Sequence, residues 1–522
     1  MARLRSMLLI LCAVLTLRAA EPIRVGLDDW TTLNPLLVAR DTDVQVLDLL
    51  FDRLVTLDDH GQFIPELLQG WEIRRGGREV LLHLRPGLTW QDGSPIEAED
   101  LVFTWRMLRL PQVRAIADTV PGVRSLDRLE AVGPLTVRID LAEPRGTLMS
   151  DLYNFIPVPR RHYLMGSSPE SAPVNFAPVG SGPYRVVGQA TKTEVRLERW
   201  GGYHGPHPGA WPAFELKSIT ALKQVREALV AGDLQLCPVG SLSHYLVRHG
   251  AILGGVLRAY AAPQAAFNAF FLNCDPKRSL LGDVRLRQAL AELVPWEQLS
   301  RGRQFFGTRL ATSFWPPEGW AYDPTPRPLP RLSRARALLD AAGWRMGADG
   351  LRHDAAGRTL DLVAYEQQEA GLHSVTHLLV ARAAKVGMRI EIRPVSFDEL
   401  GRKSAAHVGD FWSYGWTTGL DPNDDSPLFT KDGLHSGANV SAYLNPEVDR
   451  LFDAGQHTVD PEARKRIYRR IADILWRDRP VIPLTYNVTR YIASPGLRGV
   501  AFNPLGQPFG YWPGMRGWTL AP

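Results

Sequence analysis

The stretch "LTWQDGSPIEAEDLVFTW", Leu88–Trp105, sets Asp92, Glu97, Glu99 and Asp100 beside two tryptophans. Two readings compete for it. One is a carboxylate pair over an aromatic sugar platform, as a glycosidase uses. The other is a turn feeding a helix. Asp92-Gly93 is a turn dipeptide. Glu97, Glu99 and Asp100 fall where a helix begins, and negative charge there complements the helix dipole. Leu101, Val102, Trp105 and Leu108 then recur at helical spacing. Paired catalytic carboxylates need a cleft between them. The stretch therefore predicts a turn, an acidic first turn and a buried helix face, and no chemistry.

The same mixture continues outward. "VLLHL" (Val80–Leu84), "LTVRID" (Leu135–Asp140), "TEVRLER" (Thr193–Arg199) and "MRIEIRPV" (Met388–Val395) read as strands. Asp283 is placed to cap "VRLRQALAELV", and Ser333 to open "RARALLDAAGW", which Gly343 stops. Asp460-Pro461 opens a long helix that Pro480 closes, with Ile467, Ile471, Ile474 and Leu475 on its buried face. The Pro/Gly-rich segments 201–212 and 314–330 are too short and too aromatic for flexible tethers and are expected as ordered surface connections.

With 522 residues, 45% hydrophobic and 22% charged, the chain has ordinary globular composition and exceeds what one core serves, so two lobes or more are expected. Sixty basic against 55 acidic residues, with no long basic run, argue against nucleic acid as a partner. "MARLRS", an apolar run "MLLILCAVLTL" and "RAAEP" have the layout of a cleaved secretory signal peptide over residues 1–20, ending near Ala19 or Ala20. Removing Arg3, Arg5 and Arg18 takes the net charge from +5 to +2. Cys12 lies inside the apolar run, without the small residues that lipidation requires before it. Cys237 and Cys274 remain, either as a pair or as two isolated thiols.

"FDRLVTLDDHGQFIPELLQGWEI" (Phe51–Ile73) and the Leu-rich strand running into the opening stretch resemble the extracellular solute-binding proteins of family 5, the oligopeptide- and dipeptide-binding proteins of ABC importers. Leu84, Arg85, Gly87, Trp90, Asp92, Gly93, Pro95, Ala98, Asp100 and Phe103 stand in the family's positions. "VGSGPYRV" (Val179–Val186), "FNAFFLNCDPKRSLLGDVRLRQALAEL" (Phe267–Leu293), "ALLDAAGW" (Ala337–Trp344) and a late "GW…DP…F" segment follow in the family's order.

The resemblance implies an α/β fold of the type II periplasmic-binding-protein kind, two lobes on a hinge with an extra subdomain inserted in lobe one. Its boundaries are expected at 21–45 plus 178–263 plus 485–522 for lobe one, 46–177 for the insertion and 264–484 for lobe two. It implies a periplasmic, monomeric receptor that takes an oligopeptide-like solute between its lobes and delivers it to an inner-membrane ABC permease. Closure traps a ligand because both lobes touch it only in the closed state. No catalytic residue and no cofactor is required, and no "G-x-S-x-G", "H-E-x-x-H" or P-loop is found. A same-fold binder of a glycan, opine or metal chelate is the first alternative, and a secreted carbohydrate-active enzyme working through Asp421 or Asp424 the second.

In the resembled family, ligand lies between the first strand's loop and a "G-W-x-x-D" segment. Here those are "DDWTTLNP" (Asp28–Pro35) and "FWSYGWTTGLDPNDD" (Phe411–Asp425). Ligand contacts are accordingly expected from Trp30, Thr31, Thr32, Phe267, Asn268, Gly415, Trp416, Thr417, Thr418, Gly419 and Asp421. Trp412 and Tyr414 are equally suited to the core. The peptide binders carry an aspartate three residues after the Trp, pairing with the peptide's α-amine; Gly419 stands there instead. Leaving a buried ammonium unpaired costs roughly 3–5 kcal/mol by analogy with broken buried pairs. Asp421, Asp28, Asp29 and Asp424 are the candidate substitutes.

No metal site is expected. Asp421, Asn423, Asp425 and Asp432 imitate a calcium loop, but Ser426 stands where such loops need Gly. His373 and His377 lack a third ligand. His204 and His207 are expected to be solvated, as is the Arg464–Arg470 helix face.

Overall fold

The computed structural model describes residues 21–114, 121–163, 171–219, 222–238, 257–300, 309–317, 319–325, 327–368, 374–502, 511 and 513–521. The expected signal peptide and His373 lie outside them.

The opening stretch folds as its local chemistry dictates. The antiparallel strands Leu68–Arg74, Glu79–Leu84, Thr136–Asp140 and Arg128–Gly133 form one sheet in that order. Helix Ala98–Leu108 packs on it, burying Leu101, Val102 and Leu108. Gly93 supplies the positive φ of the turn, at 84°. The four carboxylates are structural or solvated. Asp100 accepts from Trp90 Nε1 at 3.2 Å and from Glu97 N at 3.0 Å. Glu97 pairs with Arg160 at 2.7 Å. Asp92 accepts from Ser94 and meets His162 at 2.8 Å; against the burial that opposes its charge, these bonds hold the carboxyl at about 2. Glu99 is exposed.

The large sheet runs through both lobes. In lobe one, Leu236–Pro238, Ile23–Leu27, Ala213–Ser218, Glu194–Arg199 and Tyr184–Val187 lie side by side. In lobe two the order is Arg389–Val395, Asp361–Gln367, Phe411–Thr417. Two long strands, Arg258–Leu272 and Val481–Ala493, join the halves. They pair antiparallel, with register shifts between Pro263 and Phe267 and between Asn268 and Ala269. A bulge of this kind bends a ribbon and weakens its ladder locally, so the sheet is most pliable where it passes from one lobe to the other.

The cores follow this division. One apolar cluster contains Ile23, Val80, Trp90 and Trp518, so the small sheet and lobe one share a single interior. Lobe two has a cluster on each sheet face: Phe267, Trp412 and Tyr468 on one, Phe270, Phe411 and Leu290 on the other. The chain's end is pinned into lobe one by Arg516, which is 4% exposed. It donates to Asp52 at 2.8 Å, to Glu66 at 2.9 Å and to the carbonyls of Asp48 and Phe51.

Several sequence expectations are corrected. The helix expected to open at Ser333 starts at Leu332, because the Glu292 carboxylate accepts from Arg331 N at 2.8 Å. His207 is buried, not solvated; burial first, then the charges of Arg516 and Arg85, push its ring down to about 3. Arg464 is buried at 6% rather than solvated, whereas Arg470 is exposed beside Glu447. Cys237 and Cys274 are both free thiols, pushed by burial to about 12 and about 11.

Candidate functional site

Strand Phe411–Thr417 organises the site. Its period of two sends Trp412, Tyr414 and Trp416 to one face and Ser413, Gly415, Thr417 to the other. The first face is interior. Trp412 is fully buried and donates from Nε1 to Val408 O at 3.1 Å. Tyr414 stacks on Phe271 at 4.3 Å. Trp416 is half-buried, and its Nε1 donates to Asp425 at 3.0 Å; Trp315 donates to the other oxygen of the same carboxylate at 3.0 Å. Asp425 is raised to about 7, by burial first, while these bonds oppose the rise. The other face is open: Gly415, Thr417 and Gly419 are exposed.

The strand's two edges also differ. On one side it pairs with Arg258–Leu272 along its whole length, Ala266 facing Thr417 and Leu272 facing Phe411. On the other, Asp361–Gln367 pairs only with Phe411, Trp412 and Ser413. From Tyr414 onward, among the described residues, no strand lies along that edge. Its backbone groups are available to an added extended segment. Asn268, exposed opposite Gly415, donates to Asn487 at 2.7 Å and to Thr485 at 3.3 Å, placing an amide group at the same level. A recess of ≈ 290 Å³ adjoins, walled by Trp315, Trp320, Thr418 and Gly419.

The loop after the strand is fixed by one ion pair. Arg464 donates through both terminal nitrogens to both oxygens of Asp421, at 2.8 and 2.9 Å, and through Nε to Gly455 O at 2.9 Å. Burial opposes its charge, but the Asp421 bonds raise its pKa overall. Asp421 also accepts from Asn423 N and opens the short helical turn Pro422–Leu428. That turn folds Asp424 back onto Gly419: a Cβ built on Gly419 would lie 1.9 Å from Asp424 Oδ2. The same oxygen accepts from Asp421 N at 3.2 Å. Asp424 is exposed on one side, yet the loop crowds its carboxylate. That crowding first, then the charge of Asp421, lifts it to about 7.

Several expected ligand contacts are buried in this structure. Phe267 is 1% exposed, its ring in the lobe-two core behind Trp416. Trp30, 1% exposed, donates to Thr191 O at 2.8 Å. Thr32 and Thr418 are buried, Thr418 bonding Ala265 O through N and Oγ1. Asp421 is buried and spent on Arg464, and Tyr468 donates to Asn423, so neither is a free calcium oxygen. Thr31 is half-buried, donating to Asp43 through N and Oγ1. Asp43 also accepts from Ala39 N and Arg40 N, which fixes the first strand's loop. Asp28 and Asp29 are exposed, with Ser218 donating to Asp29. The exposed group is therefore Asn268, Gly415, Thr417 and Gly419, joined by Asp424. Sequence reasoning passed over Asn487, whose partner Asn268 is distant in the chain, and Asp43, whose partners Thr31, Ala39 and Arg40 are local.

The insertion reaches lobe two. Gly146 N donates to Gln456 O at 2.7 Å, and a Cβ on Gly146 would lie 2.2 Å from Thr458 O and 2.6 Å from Arg464 Nε. Gly146 thus meets the end of helix Pro446–His457 and lies beside the Arg464 side chain that anchors the loop.

Comparison with known proteins agrees with this geometry. The family model of bacterial extracellular solute-binding proteins, family 5 Middle, matches residues 62–436. The chain is 25% identical over 513 residues to the probable deoxycholate-binding periplasmic protein YgiS of Escherichia coli, covering 92% of this chain and 90% of that one. It is 24% identical over 490 residues to the dipeptide-binding protein of Pseudomonas aeruginosa, covering 88% of each. Among solved structures, the ABC transporter substrate-binding protein CtaP of Listeria monocytogenes superposes with a TM-score of 0.80 at 20% identity, covering 97% of this chain and 100% of that one. The chain belongs to the family 5 extracellular solute-binding proteins of ABC importers and has their two-lobed type II fold. Its family binds substrates and does not transform them, which overturns the carbohydrate-active enzyme considered from the sequence.

Proposed function

We propose that this protein is an exported, periplasmic receptor that captures an oligopeptide-like solute as a monomer and hands it to an inner-membrane ABC permease. The observation that carries the peptide reading is the open edge of strand Phe411–Thr417 beyond Ser413, with exposed Gly415, Thr417 and Gly419 on its free face. An extended peptide backbone adds to such an edge as a further strand, and main-chain bonds supply affinity without demanding particular side chains. Asp424 supplies the ammonium partner. Its carboxylate fills the space beside Gly419, and a ligand cation there offsets the charge of Asp421. The hinge lies at the Pro263–Phe267 shift and its partner stretch around Tyr486–Val488. Among the described residues, no helix is long and apolar enough to cross a membrane.

A second reading, an amine-free solute in the same cleft, is favoured by Gly419 itself and by the tryptophan-walled recess next to it. One calorimetric experiment separates the two. Trialanine and N-acetyl-trialanine are titrated into the mature protein and into Asp424→Asn. The peptide reading expects trialanine to bind the parent protein, and either acetylation or Asp424→Asn to weaken it by about tenfold to a hundredfold, the worth of a charge-assisted bond. Equal binding of both peptides removes Asp424 from the site. Binding of neither, with an amine-free molecule released from native protein in mass spectrometry, replaces the peptide reading by the second.

A further inference from the structure

A second, shallow recess lies beside strand Val481–Ala493. Trp296, Leu310, Trp476, Arg327 and Arg479 line it. At its base Ile482 pairs with Phe270. Its wall residue Leu310 pairs with Thr485, the neighbour of Tyr486 at the proposed hinge.

The electrostatics of this recess are unusual. One indole, Trp476, carries two guanidinium groups: Arg479 at 3.7 Å and Arg327 at 5.1 Å from the ring centre. Stacking of each on the ring is favourable, but the two cations repel one another. Arg327 is paired with Asp323 and, at 3.1 Å, with Asp473, yet its Nε is buried with no hydrogen-bond partner. Arg479 makes no side-chain hydrogen bond or ion pair among the described residues. Glu292 also lines the recess; its Oε2 accepts from Arg334 at 3.0 Å and from Arg331 N, and its charge acts on Arg479. Burial first lowers Arg479 to about 9; the charge of Glu292 opposes this, and repulsion from Arg327 adds to it.

The backbone adds an independent observation. Arg479 ends the long helix Pro461–Asp478 in the left-handed region, at φ 51° and ψ 50°. Glycine meets that conformation without strain, whereas arginine does not. The chain thus holds a guanidinium without a hydrogen-bonded partner among the described residues, at a conformational cost, against the Trp476 ring.

We propose that this recess is a second ligand site, taking a small carboxylate carried on a flat apolar body. The stacked Arg479 has its in-plane donors free, and a carboxylate matches that fork. The Nε of Arg327 supplies a further donor. Trp296 and Leu310 receive the apolar body, in the usual division between an apolar pocket and a few placed polar groups. The anion relieves the repulsion between the two arginines.

Benzoate is the probe, titrated calorimetrically into the mature protein beside its neutral isostere benzamide. Arg479→Gly is the decisive variant, because glycine suits the left-handed cap and the fold is retained. Saturable benzoate binding is expected, weakened at least about tenfold both in Arg479→Gly and by replacement with benzamide. Asp424→Asn is expected to bind benzoate as the parent does. No saturable benzoate binding overturns the proposal. So does unchanged affinity in Arg479→Gly, or equal binding of benzamide. Competition of benzoate binding by trialanine also overturns it, by moving the event to the cleft.

Discussion

Replacing Gly146 by alanine tests whether the insertion closes on lobe two through this residue. Its φ does not lie in the left-handed region, so an alanine backbone fits there unstrained. The obstacle is space. The added methyl would sit 2.2 Å from Thr458 O, against about 3.4 Å for an ordinary contact. The two bodies must retreat by roughly 1.2 Å, the difference of those distances. Overpacking of this kind costs about 1–3 kcal/mol. Retreat also stretches the 2.7 Å bond from Gly146 N to Gln456 O, worth about 1 kcal/mol net. Together these destabilise only the closed state, by about 2–4 kcal/mol. Solute affinity measures the closed state, so it falls by about thirtyfold to several hundredfold. The lobes themselves are untouched, so the melting temperature of the unliganded protein stays within about 2 °C. Calorimetry with the bound solute, thermal melts and small-angle scattering check the three parts. Unchanged affinity in Gly146→Ala refutes the closure argument. A lowered melting temperature with unchanged affinity does too, because it would make the contact part of a fixed interface.

Two further predictions concern charge. Arg516→Met leaves Asp52 and Glu66 buried without their cation; urea unfolding at neutral pH is expected to show a loss of about 3–5 kcal/mol. Burial first has already pushed Glu66 up to about 8, so it is mostly protonated at neutral pH in parent and variant alike, and the loss is expected to change little on its account between neutral pH and mild acid. The affinity for a free-amine peptide is expected to rise about tenfold per pH unit from pH 5 to about 7 and then level off, as Asp424 ionises. Stability of the unliganded protein runs oppositely at this residue. A carboxyl raised above its unfolded value favours the native state at low pH, and that contribution is lost as pH rises through about 7. Calorimetry across this range on the parent and on Asp424→Asn, whose profile is expected to be flat, checks both statements.

What the sequence discloses here is what local chemistry decides. The turn at Asp92-Gly93, the acidic first turn and the helix over 98–108 need nothing beyond their own residues. Asp283 and Asp460 cap their helices for the same reason: each accepts from a backbone N–H two or three residues on. The strand parity of Trp412, Tyr414 and Trp416 is equally visible. Which face is interior is not, because Phe271 and Asp425 decide it from elsewhere in the chain. Burial of Arg464 is hidden for the same reason. Its helix reads as a charged surface, and its partner Asp421 lies 43 residues earlier. His207 sits in a Pro/Gly segment that looks solvated until Arg516 brings the chain's end against it.

Asp421 and Gly419 are where the two levels meet. The sequence marks a missing carboxylate at Gly419 and offers Asp421 as the nearest replacement. In the folded chain Asp421 is engaged bidentately by Arg464 and buried, so its charge is consumed. That pairing has a geometric consequence. It fixes the start of the turn Pro422–Leu428, and the turn returns Asp424 to the place a side chain on residue 419 would have taken. A carboxylate delivered this way differs from one attached directly to the strand. Its position depends on the loop, the loop depends on Arg464, and Arg464 also touches the insertion through Gly146. Solute charge, loop geometry and lobe closure therefore share one guanidinium. A carboxylate projecting from residue 419 would respond to solute alone. In the proposed receptor, the arrangement at Asp424 couples the solute's charge to whether the expected insertion is in place.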